Sequence, residues 1–331
     1  MRGAVVARIR RARRPLIVSH RNPDPDSLGS ALGLAAILEA LGASPVLAVN
    51  EPENIDAVMA SIPGTARFRA LTADLLAAPP DGHPFDALFS VDTASIDLLS
   101  ADERVRTALR AIRPIINIDH HITNERYGDV NYVVSDAAAA AEVIWMLSST
   151  LGGGISRAGA IALQAGLVAD TLGFQTQETG PRTLRAAAAL QALGGVTSDI
   201  PRRVLNVRSF QASRLLGAAL AAAVRSADGR VVWTQVSARM AADVGARMAD
   251  AQGIPNALQD VADTEAVAVF YQADASRTRV SLRSRGTRID GVAAAFGGGG
   301  HALAAGVTLA EPLDIATEQV LARLDRTLNG R

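Results

Sequence analysis

The sequence contains no cysteine and no lysine, and these two absences remove several kinds of chemistry. Without cysteine there can be no disulfide, iron–sulfur cluster, thiolate zinc site or cysteine nucleophile. Without lysine there can be no lysine Schiff base and no P-loop lysine, because every basic residue is arginine. The formal net charge is zero, so the bulk charge does not indicate long nucleic acid as a partner.

Long hydrophobic runs are also absent, and none approaches the ~18 residues that a membrane span needs. The arginine-rich beginning, MRGAVVARIRRARRP, lacks the apolar region of a signal peptide and leads directly into a predicted strand. We therefore expect a cytoplasmic protein with no membrane partner, whose first residues form a helix. The chain has 331 residues and is 49% hydrophobic, which is enough for two domains with separate cores.

The first half alternates short apolar strands with helices rich in alanine and leucine. Predicted strands are PLIVSH, PVLAV, ALFSVD and PIINID, and predicted helices include SLGSALGLAAILEALG and AGAIALQAGLVAD. This alternation is typical of an α/β fold in which helices cover a mostly parallel sheet. Ligands of such sheets bind at the carboxyl ends of the strands.

The sequence changes character near residue 195, where the breaker cluster GGVTSDIP occurs. The following RRVLNVRSFQASRLLGAALAAAV predicts a connecting helix. Beyond it, RVVWTQV, EAVAVFYQ and TRVSLRS are strand-like and mixed with helices. We predict a first domain over residues 1–195, a linker and connecting helix over 196–228, and a smaller mixed α/β domain over 229–331.

Three candidate metal ligands, His20, Asp24 and Asp26, follow the first predicted strand in HRNPDPDS. The two prolines disfavour helix and hold this loop extended, so carboxylates two residues apart point in different directions and could serve two ions. Ser27 and Leu28 then begin a helix, whose N-terminus favours anions. The alternative interpretation is an Asp-rich turn with a helix cap.

Further candidates end other predicted elements. Asp92 ends the strand in FSVD, where it could bridge two ions or act as the N-cap of the next helix. Asp119, His120 and His121 end an apolar strand, where polar groups are costly unless they are used. Asp170 ends the helix LQAGLVAD and completes the set.

The five histidines are concentrated in such motifs, because His301 lies in GGGGHALAAG and only His83 lies elsewhere, in the loop PPDGHPF. Imidazole and carboxylate ligands without thiolate suit manganese, with magnesium or cobalt as substitutes. Two such ions ~3.5–4 Å apart would clamp a phosphate and activate a bridging water. The pattern predicts a hydrolase of phosphate esters and not a redox enzyme.

The strand TRVSLRS in the second half has two different faces. Period-two alternation places Val280 and Leu282 on one face and Arg279, Ser281 and Arg283 on the other. An arginine and serine face suits phosphate, because guanidinium forks match phosphate oxygens. An ordinary half-exposed strand is the alternative, although the glycines of GGGGH would let the backbone approach a ligand.

Together these motifs resemble the DHH phosphoesterase family, named for the Asp-His-His seen at 119–121. The motifs are HRNPDPDSLGS, VDTAS, NIDHH, GLVADTLGF, SLRSRG and FGGGGHALAAG, and their order and spacing cover nearly the whole chain. The resemblance is strongest to members with a DHH-associated C-terminal domain. Those members hydrolyse short oligoribonucleotides and 3′-phosphoadenosine 5′-phosphate.

The resemblance implies roles for the candidate residues. One divalent ion would be held by His20, Asp24 and Asp92. The second would be held by Asp26, Asp92, His120 and Asp170, so that Asp92 bridges the two. His121 would face the scissile phosphate, and Asp119 would orient the histidines. Across an interdomain cleft, the nucleotide would be bound by Arg279, Ser281, Arg283, Gly298, Gly299, Gly300 and His301.

The sequence departs from the family pattern at two positions. Pro25 stands between the paired aspartates where the family usually has glycine, and proline forbids a positive φ. Leu172 stands where the family often has a glycine after the Asp-Thr of the fourth motif. Neither departure removes a ligand.

The expected enzyme is a manganese phosphoesterase acting on di- to pentanucleotides and nucleoside 3′,5′-bisphosphates, and a homodimer is the family expectation. A phosphodiesterase for cyclic or linear dinucleotides shares the motifs and is the first alternative. A catalytically silent nucleotide sensor is the second, and the complete ligand set argues against it. Inorganic pyrophosphatases lack the glycine loop, and long-strand exonucleases usually carry additional domains.

Overall fold

The structure is a computed structural model that describes residues 2–152, 154–194 and 199–330. The chain divides into two compact units, Met1–Val207 and Arg208–Arg331. Within the described ranges, no helix is both long enough and apolar enough to cross a membrane.

The first unit is built on a fully parallel sheet, and the part of the chain that the structure describes contributes six strands to it. In chain order the strands are β1 Pro15–Val18, β2 Val46–Val49, β3 Arg69–Ala70, β4 Ala87–Val91, β5 Ile115–Asp119 and β6 Val130–Val133. The four strands predicted from apolar runs are confirmed as β1, β2, β4 and β5. The edge strands β3 and β6 were not predicted. Strand β3 consists of two exposed residues, and β6, with the sequence VNYV, is partly polar.

Helices cover this sheet and complete two apolar layers. They are α1 Arg2–Arg11, α2 Pro25–Ala40, α3 Ala57–Ala60, α4 Ala73–Ala77, α5 Glu103–Ala111, α6 Ala140–Leu151, α7 Arg157–Asp170, α8 Pro181–Ala192 and α9 Asp199–Asn206. On β1, Ile17 packs in the core shared with α2, α6 and α7, whereas Leu16 and Val18 pack on the opposite side with residues of α5. Strands buried on both faces read as continuous apolar runs, as PLIV and ALFSV do.

The strand order β3-β2-β1-β4-β5-β6 places a topological switch point between β1 and β4. The chain moves outward in one direction from β1 and in the other direction from β4, which leaves a crevice at their carboxyl ends. His20 follows β1 and Asp92 follows β4, and these two strands are directly paired. The fold therefore brings together two side chains that are far apart in sequence.

Helix α2 begins two residues earlier than the sequence suggested. Pro25 occupies its first turn and Asp24 is its N-cap, with the Asp24 carboxylate accepting a hydrogen bond from Ser27 N at 2.8 Å. The expectation of an extended loop as far as Asp26 is wrong, because proline is well suited to the first helical position, where its missing N–H is not needed. The cap and the candidate ligand are therefore the same residue.

Helices α2 and α7 pack antiparallel and unusually closely. A Cβ on Gly29 would lie 2.2 Å from the Ala162 carbonyl oxygen, and one on Gly166 would lie 2.5 Å from Asp26 Oδ1. Only glycine permits this approach. As a result the beginning of α2, with Asp26, lies beside the end of α7, with Asp170.

The second unit is a mixed sheet with helices, as predicted. Its elements are α10 Phe210–Ala221, β7 Val224–Arg225, β8 Val231–Val236, α11 Ala238–Asp243, α12 Ile254–Gln259, β9 Ala266–Gln272, β10 Thr278–Ser284, α13 Asp290–Ala294, β11 Gly299–His301, β12 Ala304–Leu309 and α14 Leu313–Leu328. The strand order of this second sheet is β11-β12-β10-β9-β8-β7. Among its described strands, only the pair β8–β9 is parallel.

The segment interpreted as one connecting helix contains two helices, α9 and α10. Ser209 interrupts it, because its side chain accepts a hydrogen bond from Ala212 N at 3.0 Å and so caps a new helix. The segment belongs to the first unit as far as Val207 and to the second unit from Arg208 onward. The boundary between the units lies at this break.

Candidate metal centre

Three groups of side chains at the switch point could each hold a metal ion, and Asp92, Asp119, His120 and His121 form the first of them. The other two groups share no residue with each other. His20, Asp24 and Asp92 form one, with His20 Nε2 at 3.4 Å from Asp24 Oδ2 and 3.5 Å from Asp92 Oδ2. Asp26, His120 and Asp170 form the other, and His120 Nε2 lies 3.3 Å from Asp170 Oδ2.

Asp92 connects the two groups. Its Oδ2 faces His20, and its Oδ1 lies 3.5 Å from His120 Nε2. The residue is almost completely buried, and its backbone has a φ of 54°. A non-glycine residue in the left-handed region carries strain, which persists where a site fixes the side chain. The alternative role as a helix N-cap is not observed, because the next short helix is capped by Ser95.

The orientation of His120 leaves one ring nitrogen for a ligand role. Its Nδ1 lies 3.2 Å from the Ala137 carbonyl oxygen, so Nδ1–H donates there and Nε2 carries the lone pair. Among the described residues Nε2 makes no hydrogen bond, and neither does Asp92 Oδ1, although both atoms are buried. Buried polar atoms without partners are rare, and two lone-pair-bearing atoms that face each other suit a shared cation.

Asp26 is fully buried and is held by the beginning of α6. Its Oδ2 accepts a hydrogen bond from Ala140 N at 2.7 Å, and its Oδ1 accepts from Ala141 N at 3.0 Å and from Ser30 Oγ at 3.1 Å. Oδ2 retains a lone pair for a metal, whereas Oδ1 already accepts two hydrogen bonds. Asp24 and Asp26 thus point to different groups, as the sequence suggested.

The carboxylates and imidazoles strongly influence one another. Burial alone would lower the pKa of His120, but the neighbouring carboxylates of Asp92, Asp26 and Asp170 raise it to about 10. The pKa of His20 is likewise raised to about 10, against burial, by its two neighbouring carboxylates. Burial and then the charge of Asp92 raise the pKa of Asp26 to about 7. Such a cluster suits divalent cations, because their positive charge would replace the protons that these side chains retain.

Asp119 and His121 lie beside this cluster. Asp119 is fully buried, and its Oδ1 lies 2.8 Å from His121 Nδ1 while accepting a hydrogen bond from His120 N at 2.8 Å. His121 Nδ1 is also 3.6 Å from Asp92 Oδ1. The carboxylate therefore fixes the ring of His121 and the backbone that carries both histidines.

A buried polar network behind Asp119 was not found from the sequence. Asn124 Nδ2 donates to Asp119 Oδ2 at 2.6 Å and to Asn117 Oδ1 at 2.8 Å, and Asn117 Nδ2 donates to the Thr93 carbonyl oxygen at 3.0 Å. Tyr127 hydrogen-bonds Asn117 and Ser90. In the sequence, the only indication of this network is that Asn124 lies close to the Asp-His-His motif. The other residues lie on strand and loop positions with no pattern.

Leu172, the second departure from the family pattern, has a positive φ of 48°. Gly173 and Phe174 follow it with φ values of 72° and 70°. Glycine would adopt the conformation of position 172 without strain, which explains its use there in the family. The turn keeps its shape with leucine, and Asp170 remains in its group.

The second unit contains an open pocket of about 570 Å³ that brings together four of the seven predicted substrate residues. These are Arg279, Ser281, Arg283 and Gly298. The alternation of β10 is confirmed, since Val280 and Leu282 are buried on the opposite face. Neither pocket arginine has a carboxylate within 4.0 Å among the described residues, and Arg279 lies 4.8 Å above the ring of Tyr271. Unpaired guanidinium groups in an open pocket suit an anion.

The remaining predicted residues, Gly299, Gly300 and His301, form β11 and do not line this pocket. A Cβ on Gly300 would lie 2.4 Å from the Ala304 carbonyl oxygen, so the close approach of β12 requires glycine there. Gly299 faces open space. The side chain of His301 lies outside the described residues.

A parallel sheet with carboxylates and imidazoles at its switch point, together with an arginine-lined pocket, defines a hydrolase of phosphate esters. Residues 14–168 match the DHH family, N-terminal domain, and residues 228–330 match the DHHA1 domain. The chain is 31% identical over 307 residues to the bifunctional oligoribonuclease and PAP phosphatase NrnA of Thermus thermophilus, which covers 92% of this chain and 87% of that protein. The chain belongs to the DHH family.

Two further relatives agree with this assignment. The protein of the same name from Bacillus subtilis is 25% identical over 301 residues, covering 88% of this chain and 89% of its own. The crystal structure of an exopolyphosphatase-related protein from Bacteroides fragilis has a TM-score of 0.88 at 22% identity, covering 98% of this chain and 95% of that one. At that identity the latter likeness concerns the fold alone.

Proposed function

We propose that this enzyme hydrolyses short oligonucleotides, from di- to pentanucleotides, and nucleoside 3′,5′-bisphosphates, with two manganese ions. The observation that carries the proposal is the pair of ligand groups that meet at Asp92. The names of the relatives, oligoribonuclease and PAP phosphatase, support the substrate class. A homodimer and a cytoplasmic location remain predictions from the resemblance and the sequence.

The proposed ligands follow from the two groups. His20, Asp24 and Asp92 would hold one ion, and Asp26, Asp92, His120 and Asp170 the other. Such ions, when bound, supply Lewis-acid activation of a water and of the phosphate. The oxygen and nitrogen donors suit manganese, and magnesium or cobalt could substitute.

The protein's own groups would orient the substrate and handle protons. His121, held through Nδ1 by Asp119, presents Nε2 for a hydrogen bond to a phosphate oxygen or a leaving group. Arg279, Arg283 and Ser281 would bind a phosphate group of a nucleotide.

The test is hydrolysis by the purified, manganese-loaded protein of five substrates: 3′-phosphoadenosine 5′-phosphate, a linear dinucleotide, a cyclic dinucleotide, a pentamer and a 24-mer. We expect turnover of the bisphosphate, the linear dinucleotide and the pentamer, slow turnover of the 24-mer, and loss of all activity in excess chelator. Preference for the cyclic dinucleotide would favour a cyclic-dinucleotide phosphodiesterase instead. Bound manganese without turnover would favour a nucleotide sensor.

A further inference from the structure

The segment from residue 136 to residue 141 joins β6 to α6 and holds two candidate ligands at once. The Ala137 carbonyl oxygen accepts a hydrogen bond from His120 Nδ1, and the N–H groups of Ala140 and Ala141 donate to the Asp26 carboxylate. Any shift of this short segment would therefore move a ligand of the second ion or change its orientation.

The same segment is held from its other side by an ion pair between a buried acid and a partly exposed arginine. Glu142, with no exposed surface, accepts hydrogen bonds on Oε2 from Ala138 N and from Thr183 Oγ1, both at 3.0 Å. Its Oε1 is paired with the guanidinium of Arg182. Arg182 also donates through Nη2 to the Asp136 carbonyl oxygen at 2.6 Å and through Nη1 to the Asp136 carboxylate at 3.2 Å.

The contacts of the two sides alternate along the backbone. Asp136 and Ala138 are held by Arg182 and Glu142, whereas Ala137 and the two residues after Ala139 hold His120 and Asp26. The peptide between Ala137 and Ala138 is thus held on both sides, because its N–H donates to Glu142 and its carbonyl oxygen accepts from His120. A carboxylate buried this deeply is costly unless it is paired and hydrogen-bonded, and stability alone could be obtained with apolar residues.

We propose that Arg182, Thr183 and Glu142 are positioning residues, which set the orientation of His120 and Asp26 through the segment 136–141 without touching the metal ions or the substrate. The inference rests on the proposed two-metal function. It assigns a role to the beginning of α8, which contributes no residue to the ligand groups. Partners that orient metal ligands typically change metal affinity or activity by about 10–100-fold when they are removed.

The test measures manganese affinity by calorimetric titration of the metal-depleted protein, together with thermal stability. For Arg182→Met we expect the manganese ion held by His120 and Asp26 to bind about 10–100-fold more weakly than in the wild type. Arg182→Lys keeps the charge but loses the guanidinium fork, so its affinity should lie between those of the wild type and Arg182→Met.

A matched control is Arg230→Met in the second unit. Arg230 has a similar exposure to Arg182 and donates to a backbone carbonyl oxygen, that of Leu328, but it pairs with one acid, Glu265, where Arg182 pairs with Glu142 and Asp136. This variant should lose stability and keep the manganese affinity of the wild type. If Arg182→Met does the same, its role is structural only and the inference is overturned.

Two further outcomes are an Arg182→Met variant that does not fold and a wild type that binds no manganese. If Arg182→Met does not fold, Thr183→Val removes one hydrogen bond to Glu142 and should weaken manganese binding in the same direction. An unchanged affinity in a folded Thr183→Val would overturn the inference. If the wild type binds no manganese, the proposed function fails first, and this outcome is distinct from equal binding by wild type and variants.

Discussion

The ligand cluster of the first unit and the pocket of the second hold opposite charges and are built in opposite ways. In the cluster, Asp26 and Asp119 are fully buried, and each accepts hydrogen bonds on both carboxylate oxygens. In the pocket, Arg279 is exposed and Arg283 half-buried, and the described residues offer neither an acidic partner. One site is fixed by its neighbours, and the other is left adaptable.

This difference follows from what each site would bind. Metal ions require donors at set distances and angles, so the ligands need a layer of residues that holds them. A phosphate is larger, carries its charge on several oxygens and can be met by arginine side chains in more than one way. Substitutions in the cluster should therefore have larger effects than substitutions in the pocket.

The largest effect is expected at the shared ligand. Asp92→Asn keeps the size of the side chain but removes the charge that both groups use, so turnover should fall to the uncatalysed background and bound manganese should decrease. Activity assays and metal analysis of the purified variant would check this. Activity near that of the wild type would end the two-metal mechanism.

A smaller loss is expected at His121. His121→Ala should reduce kcat by about 10²–10⁴-fold, the usual scale for a positioned acid–base group. Both manganese ions should remain bound if each is held as proposed, because neither the group of His20, Asp24 and Asp92 nor the group of Asp26, His120 and Asp170 includes His121. A ligand role would place His121 instead in the group that it forms with Asp92, Asp119 and His120. Metal analysis separates the roles, since loss of an ion together with activity would make His121 a ligand.

The pocket should show a selective effect. Arg283→Ala should lower kcat/KM for a linear dinucleotide by roughly 10–100-fold, the equivalent of one lost charged hydrogen bond of about 1.5–3 kcal/mol. Hydrolysis of bis-p-nitrophenyl phosphate should be nearly unchanged, because that ester has no distal phosphate. Equal losses on both substrates would mean that the two units do not divide chemistry from recognition.

The smallest effects are expected on stability, where a glycine-to-alanine change should destabilise the first unit and stabilise the second. Gly166→Ala would place a Cβ 2.5 Å from Asp26 Oδ1 in the first unit and should cost about 1–3 kcal/mol. Gly217→Ala, in α10 with open space around its Cα, should stabilise the second unit by up to about 1 kcal/mol. Urea unfolding of both variants would measure the changes. A destabilising Gly217→Ala would show that this helix face is covered.

The sequence allowed the parallel sheet and all the candidate ligands to be predicted, because apolar runs and polar strand ends are local patterns. It did not allow the residues around the ligands to be predicted. Glu142 and Arg182 meet only through the packing of α6 and α8, and neither lies in a motif. The break at Ser209 was also missed, since a serine within an alanine-rich run is compatible with a continuous helix.

The candidate ligands come from the ends of three strands and two helices, between His20 and Asp170. This dispersal has a consequence for biosynthesis. At about 5–20 residues per second, a ribosome adds Asp170 on the order of 10 s after His20. During that interval a nascent chain offers only part of the donor set, although its first strands are already made. Metal capture by the group that contains Asp170 would therefore be a late event, which can occur only after α7 has left the exit tunnel and packed against α2.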